Sequence, residues 1–140
     1  MAYNFPISTN VEGTFTPTLI GGSVAGTTTY TNQNGFYVRI GNLVTVWGRV
    51  QISAATGTGD AILGGLPFTI KNNAGGNPFG PIKINAGGWT WPVGGTDVVL
   101  QGTLNSITCL IVTSGSAAGS ANMQMTNAAA TFNFTLSYNV

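Results

Sequence analysis

Histidine is absent from the 140 residues, cysteine occurs once, and charged side chains make up only 5% of the chain. Each scarcity excludes something. Without histidine there is no Ser-His-Asp or Cys-His nucleophile arrangement, and metal sites lose their commonest nitrogen ligand. A single thiol, Cys109, forms no intramolecular disulfide and no structural zinc site. It lies in the apolar run Ser106-Ile-Thr-Cys-Leu-Ile-Val112 and is expected to be a buried, unreactive core group. Four basic residues scattered along the chain cannot form the electrostatic footprint of a nucleic-acid-binding protein. No stretch of 18 apolar residues exists, so no membrane span is expected. The opening Met1-Ala-Tyr-Asn-Phe-Pro6 lacks a basic segment followed by an apolar block. The expectation is synthesis in a reducing cytoplasm.

The carboxylates are only Glu12, Asp60 and Asp97, far apart in sequence and each beside a glycine or a turn. A glycosidase needs two carboxyl groups close together with split pKa values, and nothing in this spacing supplies them. Gly75-Gly76 and Gly87-Gly88 lack the following helix and lysine of a phosphate cradle. Asn133-Phe-Thr135 matches a glycosylation sequon by chance, inside an amphipathic strand. The expectation is a non-enzyme with no cofactor and no metal.

What the chain does have is two-residue alternation. Val44, Val46, Gly48, Val50 and Ile52 fall on one face of a strand, and Leu43, Thr45, Trp47, Arg49 and Gln51 on the other. Gly35–Ile40 precedes it, joined by a tight turn at Gly41-Asn42. Asn34-Gly35 reads as an earlier turn, with a further strand at Thr27–Tyr30. Near the end, Phe132, Phe134, Leu136 and Tyr138 alternate with Thr131, Asn133, Thr135 and Ser137.

Between these, Thr14–Ile20 reads as an edge strand because of Pro17. Short strands are expected at Ile82–Asn85, Trp89–Trp91, Val98–Gln101 and Ile107–Val112. Residues 71–81 and 113–120 read as loops, and Met123–Ala130 as a loop with a short strand. No segment has a capped 3.6-residue apolar period. The pattern predicts an all-β fold with little or no helix, an antiparallel β-sandwich or jelly roll. One domain spans residues 13–140, behind an N-terminal arm at 1–12.

Three tryptophans are the candidate ligand or interface aromatics. Trp89 and Trp91 would project to the same side of a strand and could stack on sugar rings, or else fill the core or an interface. Trp47 points away from the valine face and is expected at an interface. A surface solvated by amides and hydroxyls rather than charges suits a protein that works inside an assembly.

The run Gly13-Thr-Phe-Thr-Pro-Thr-Leu19, then Gly35-Phe-Tyr-Val-Arg-Ile-Gly-Asn-Leu-Val-Thr-Val-Trp-Gly-Arg-Val50, then Gly64-Gly-Leu-Pro-Phe68 resembles a module recurring in tailed bacteriophages. That module occurs in small capsid decoration proteins (cement or head-fibre proteins) and in tail-fibre C-terminal domains. The resemblance covers roughly residues 13 to 70 and continues loosely to Tyr138. It implies a homotrimeric β-sandwich on the outer capsid surface of a virion, bound to the major capsid protein, and it carries over no catalytic residue. With no shaft or coiled coil ahead of the module, the expectation is a free-standing decoration protein. The alternative is a receptor-binding fibre module that recognises host surface glycan through Trp89 and Trp91. A lectin-like cellular protein is a third reading.

Overall fold

The computed structural model describes residues 10–89, 91–116 and 119–140. Ten strands and no helix occur among them: β1 (Asn10–Phe15), β2 (Thr18–Gly21), β3 (Thr28–Ile40), β4 (Leu43–Ala55), β5 (Ala61–Gly64), β6 (Phe79–Gly87), β7 (Asp97–Gly102), β8 (Cys109–Ser116), β9 (Gly119–Asn122) and β10 (Ala130–Asn139). The fold is all-β and antiparallel throughout.

The alternating runs form the long strands for the reason their pattern suggests. In β4, Val44, Val46, Val50 and Ile52 are buried while Leu43, Trp47 and Arg49 are exposed. In β10, Phe132, Phe134, Leu136 and Tyr138 are buried and Asn133 and Ser137 are exposed. The two strands pair from Ala130↔Ile52 to Asn139↔Leu43, so both apolar faces enter one core. Gly41 carries the positive φ (59°) at the β3–β4 turn, the arrangement of a type II′ hairpin.

The layers differ from two independent sheets. A single sheet runs β1-β3-β4-β10-β6-β7-β8-β5-β2, with β9 added to β8. It folds over at β6. Ile82, Lys83 and Ile84 pair with β10, whereas Phe79, Gly80 and Pro81 pair with β7. The two halves of this curled sheet enclose Leu19, Val46, Ile52, Leu63, Leu100, Ile111, Met123, Phe132 and Leu136, all essentially inaccessible.

Side chains fasten the open seam. The Leu19 N–H donates to Tyr30 Oη (2.7 Å), Thr28 Oγ1 donates to the Leu19 carbonyl (2.7 Å), and Gln33 Nε2 donates to the Pro17 carbonyl (2.8 Å). These bonds hold β2 and the Pro17 that precedes it against β3, where no strand ladder does so among the described residues.

Four expectations need correction. Asn10, Val11 and Glu12 belong to β1 rather than to an arm, and residues 1–9 lie outside the described residues. Thr14–Ile20 is two strands, not one: the chain leaves β1 at Phe15, crosses through Thr16-Pro17, and enters β2 on the other edge of the sheet. Asn34-Gly35 is no turn. It runs straight through β3, opposite Arg49 and Gly48. The glycine pair serves space rather than backbone φ: a Cβ on Gly35 would strike the Phe15 ring at 2.6 Å, and one on Gly48 the Phe134 ring at 2.8 Å. Those two rings meet edge to face in the notch, 6.3 Å between centroids. Finally, 113–120 is no simple loop, since β8 continues to Ser116 and β9 starts at Gly119.

Candidate functional site

Strand pairing aligns the residues that face away from the core. Phe36 lies opposite Trp47, Val38 opposite Thr45, and Ile40 opposite Leu43. The outward positions of β1, Thr14 and Glu12, lie beside Phe36 and Val38. Phe36 and Trp47 stack with centroids 6.0 Å apart and planes 21° from parallel. They remain 44% and 42% exposed, and Ile40 and Leu43 are about half exposed as well. With Glu12 and Thr14 this aromatic pair borders an open cavity of about 380 Å³.

The neighbouring strand turns polar. Thr135 Oγ1 donates to the Val46 carbonyl (3.0 Å), Thr45 and Ser137 share a hydroxyl hydrogen bond (2.8 Å), and Asn85 Nδ2 donates to Asn133 Oδ1 (3.2 Å). The outer face therefore has an apolar stripe along one hairpin and a rim of hydroxyls and amides, held in place by their mutual bonds.

Trp47 lies where the alternation put it, on the outer face. Trp89 and Trp91 do not form a pair. Neither is in a strand, and Thr90 between them lies outside the described residues. Trp89 is 7% exposed and packs edge to face on Phe132 (6.1 Å), whereas Trp91 is 44% exposed. One fills the core and the other is on the surface, so the two rings offer no shared stacking platform.

The carboxylates serve local structure. Asp60 accepts from Asn122 Nδ2 (2.7 Å) and Gln124 Nε2 (2.9 Å), tying the entry of β5 to the end of β9 and the residues just after it. Asp97 accepts from the Val98 N–H (2.8 Å) at the start of β7. Glu12 alone faces the aromatic cavity. Cys109 is buried in β8, and desolvation pushes its thiol up to about 12. The expectation of a core thiol agrees with this position. No group of three or more potential metal-ligating side chains occurs among the described residues.

A second cavity, about 400 Å³, opens where residues 71–78 lie against the end of β10. Its most exposed large apolar member is Phe79, at 75%. Sequence reading passed over Phe79, treating 71–81 as loop. Residues 79–81 are instead the start of β6, and the available signal for Phe79 was an aromatic ring set between Asn77-Pro78 and Gly80-Pro81.

No protein-family model matches the chain, and comparison with curated proteins gives no match.

Proposed function

We propose that this chain is a bacteriophage capsid decoration (cement) protein, a homotrimer on the outer surface of the virion that binds the major capsid protein and stabilises the shell. The observation that carries the reading is the outer stripe of exposed Phe36, Ile40, Leu43 and Trp47, with half-buried Val38 among them, on a protein with few charges. Apolar centre and polar rim are the anatomy of an interface between subunits. The resemblance at residues 13–70 supports the same reading, since all five of these side chains come from its central segment.

Assembly through that stripe would remove the aromatic pair from water in each copy, at about 25 cal/mol per Å² of apolar area. A closed ring satisfies every copy's stripe without leaving an open end. Each ring then binds several capsid subunits at once. Because it binds the assembled lattice and not the separate subunit, it shifts the assembly equilibrium toward intact shells by mass action.

The test is cryo-electron microscopy of particles carrying the chain, with sedimentation of the purified protein. Trimeric density at lattice positions on the head is the expected result. A purified chain that stays monomeric and leaves capsids unbound overturns the reading. Density confined to the tail tip replaces it with the receptor-binding alternative.

A further inference from the structure

We propose that the cleft between residues 71–78 and the end of β10 is a binding site for a neutral oligosaccharide, with Phe79 as its stacking surface. The cleft is built on a fixed floor. Ile70 and Tyr138 are buried beneath it, and Tyr138 Oη donates to the Phe68 carbonyl (3.2 Å). Its wall is anchored at both ends. The Lys71 N–H donates to the Asn139 carbonyl (2.8 Å), and the Gly102 N–H donates to the Pro78 carbonyl (2.7 Å). Residues 71–78 are thus held against β10 and β7 as a preformed wall.

The chemistry of the lining selects the ligand class. Asn73 and Asn77 line the cleft and their side chains make no hydrogen bond to another described residue, so both side-chain amides can donate and accept. Sugar hydroxyls also donate and accept, and they match amides better than they match fixed charges. Phe79 leaves three quarters of its surface in water beside these amides, a ring on which the C–H face of a pyranose can stack. Lys71 is the only charged side chain of the lining, and no carboxylate joins it. A cation therefore finds no anionic ligand there, and a multiply charged phosphate finds a single counter-charge. A volume of about 400 Å³ falls within the usual range for small-ligand sites.

This inference is independent of the decoration reading, because it uses neither the outer stripe nor the oligomeric state. The purified chain is titrated with a panel of neutral oligosaccharides built from hexoses, 6-deoxyhexoses and N-acetylhexosamines, and amide shifts are followed by NMR. At least one sugar is expected to shift the amides of residues 71–79 and 137–139. Phe79→Ala is expected to weaken that sugar by at least about tenfold, and Asn73→Ala with Asn77→Ala by a similar factor. Lys71→Ala is expected to change it by less than about twofold. Phe79 is exposed, so its removal leaves the melting temperature in place and a lost affinity is not lost folding. A chain that binds none of the panel overturns the proposal. So does binding that survives Phe79→Ala, or a Phe79→Ala chain whose only change is a smaller oligomer.

Discussion

Phe36 and Trp47 stand directly opposite each other on β3 and β4, their rings stacked 6.0 Å apart on the outer face. Cross-strand aromatic pairs contribute up to about 1 kcal/mol to a sheet. That does not account for leaving two of the largest apolar side chains half in water. Substituting Trp47→Ala is expected to change the unfolding free energy of the separated chain by no more than about 1 kcal/mol. Under the proposed trimeric assembly, it is expected to lower the molar mass in sedimentation equilibrium from trimer to monomer. A trimer that survives Trp47→Ala together with Phe36→Ala places the subunit contact elsewhere.

The two tryptophans that follow Gly88 behave as opposites. Trp89→Ala removes a buried ring from against Phe132 and is expected to cost about 3–5 kcal/mol. Trp91→Ala removes a half-exposed ring and is expected to stay within about 0.5 kcal/mol. Urea unfolding of the two variants, at matched slope, separates the values.

Two glycines make a second contrast. Gly48→Ala drives a methyl group into the Phe134 ring and the Asn34 carbonyl, so overpacking of about 1–3 kcal/mol is expected. Gly75→Ala meets nothing within 4 Å. It is expected to be neutral, or to raise stability by up to about 1 kcal/mol through a less flexible unfolded chain. Thermal unfolding checks both.

Stability is expected to fall in alkali. The Cys109 thiol titrates near 9.0 when unfolded and is pushed up to about 12 in the fold by burial. Burial also raises the Tyr138 hydroxyl above its ordinary value of 10.0. Between pH 9 and 12 the unfolded chain has lost the thiol proton while the folded chain keeps it. The unfolded state is therefore favoured as pH rises, by about 1.4 kcal/mol per pH unit for one such group. Below pH 9 these groups leave stability flat. Denaturant midpoints measured from pH 7 to 11 check the trend, and Cys109→Ala is expected to reduce the slope. A thiol reagent is expected to label Cys109 only as the chain unfolds.

The parts of the fold legible in the sequence were those where burial alternates residue by residue. β4 and β10 each have one buried face, so their apolar positions repeat with period two and locate both strands. The Gly41 turn was legible because its φ requirement is local. Gly35 was not. A glycine that relieves a clash with Phe15 looks in sequence like one that turns the chain, since the clash comes from 20 residues away. Trp89 and Trp91 were ambiguous for a related reason: their shared side depended on a strand that does not form. The fold-over at β6 left no mark, because Phe79–Gly87 reads the same whether its two halves pair with one neighbour or two. Phe79 was passed over because its exposure depends on where residues 71–78 are anchored.

The central position of β10 shapes how the protein can be made. β4 and β6 lie on either side of β10, and both precede it in the chain. While a ribosome is still adding residues before Ala130, β4 and β6 each present an unpaired edge with Val44, Val46, Val50 and Ile82 uncovered. No partial sheet can be sealed early, because the strand that joins its halves has yet to emerge. Closing the sheet therefore requires one late segment to pair with two edges that come earlier in the chain. Nascent chains stalled short of β10 are the species most exposed to aggregation and to chaperones.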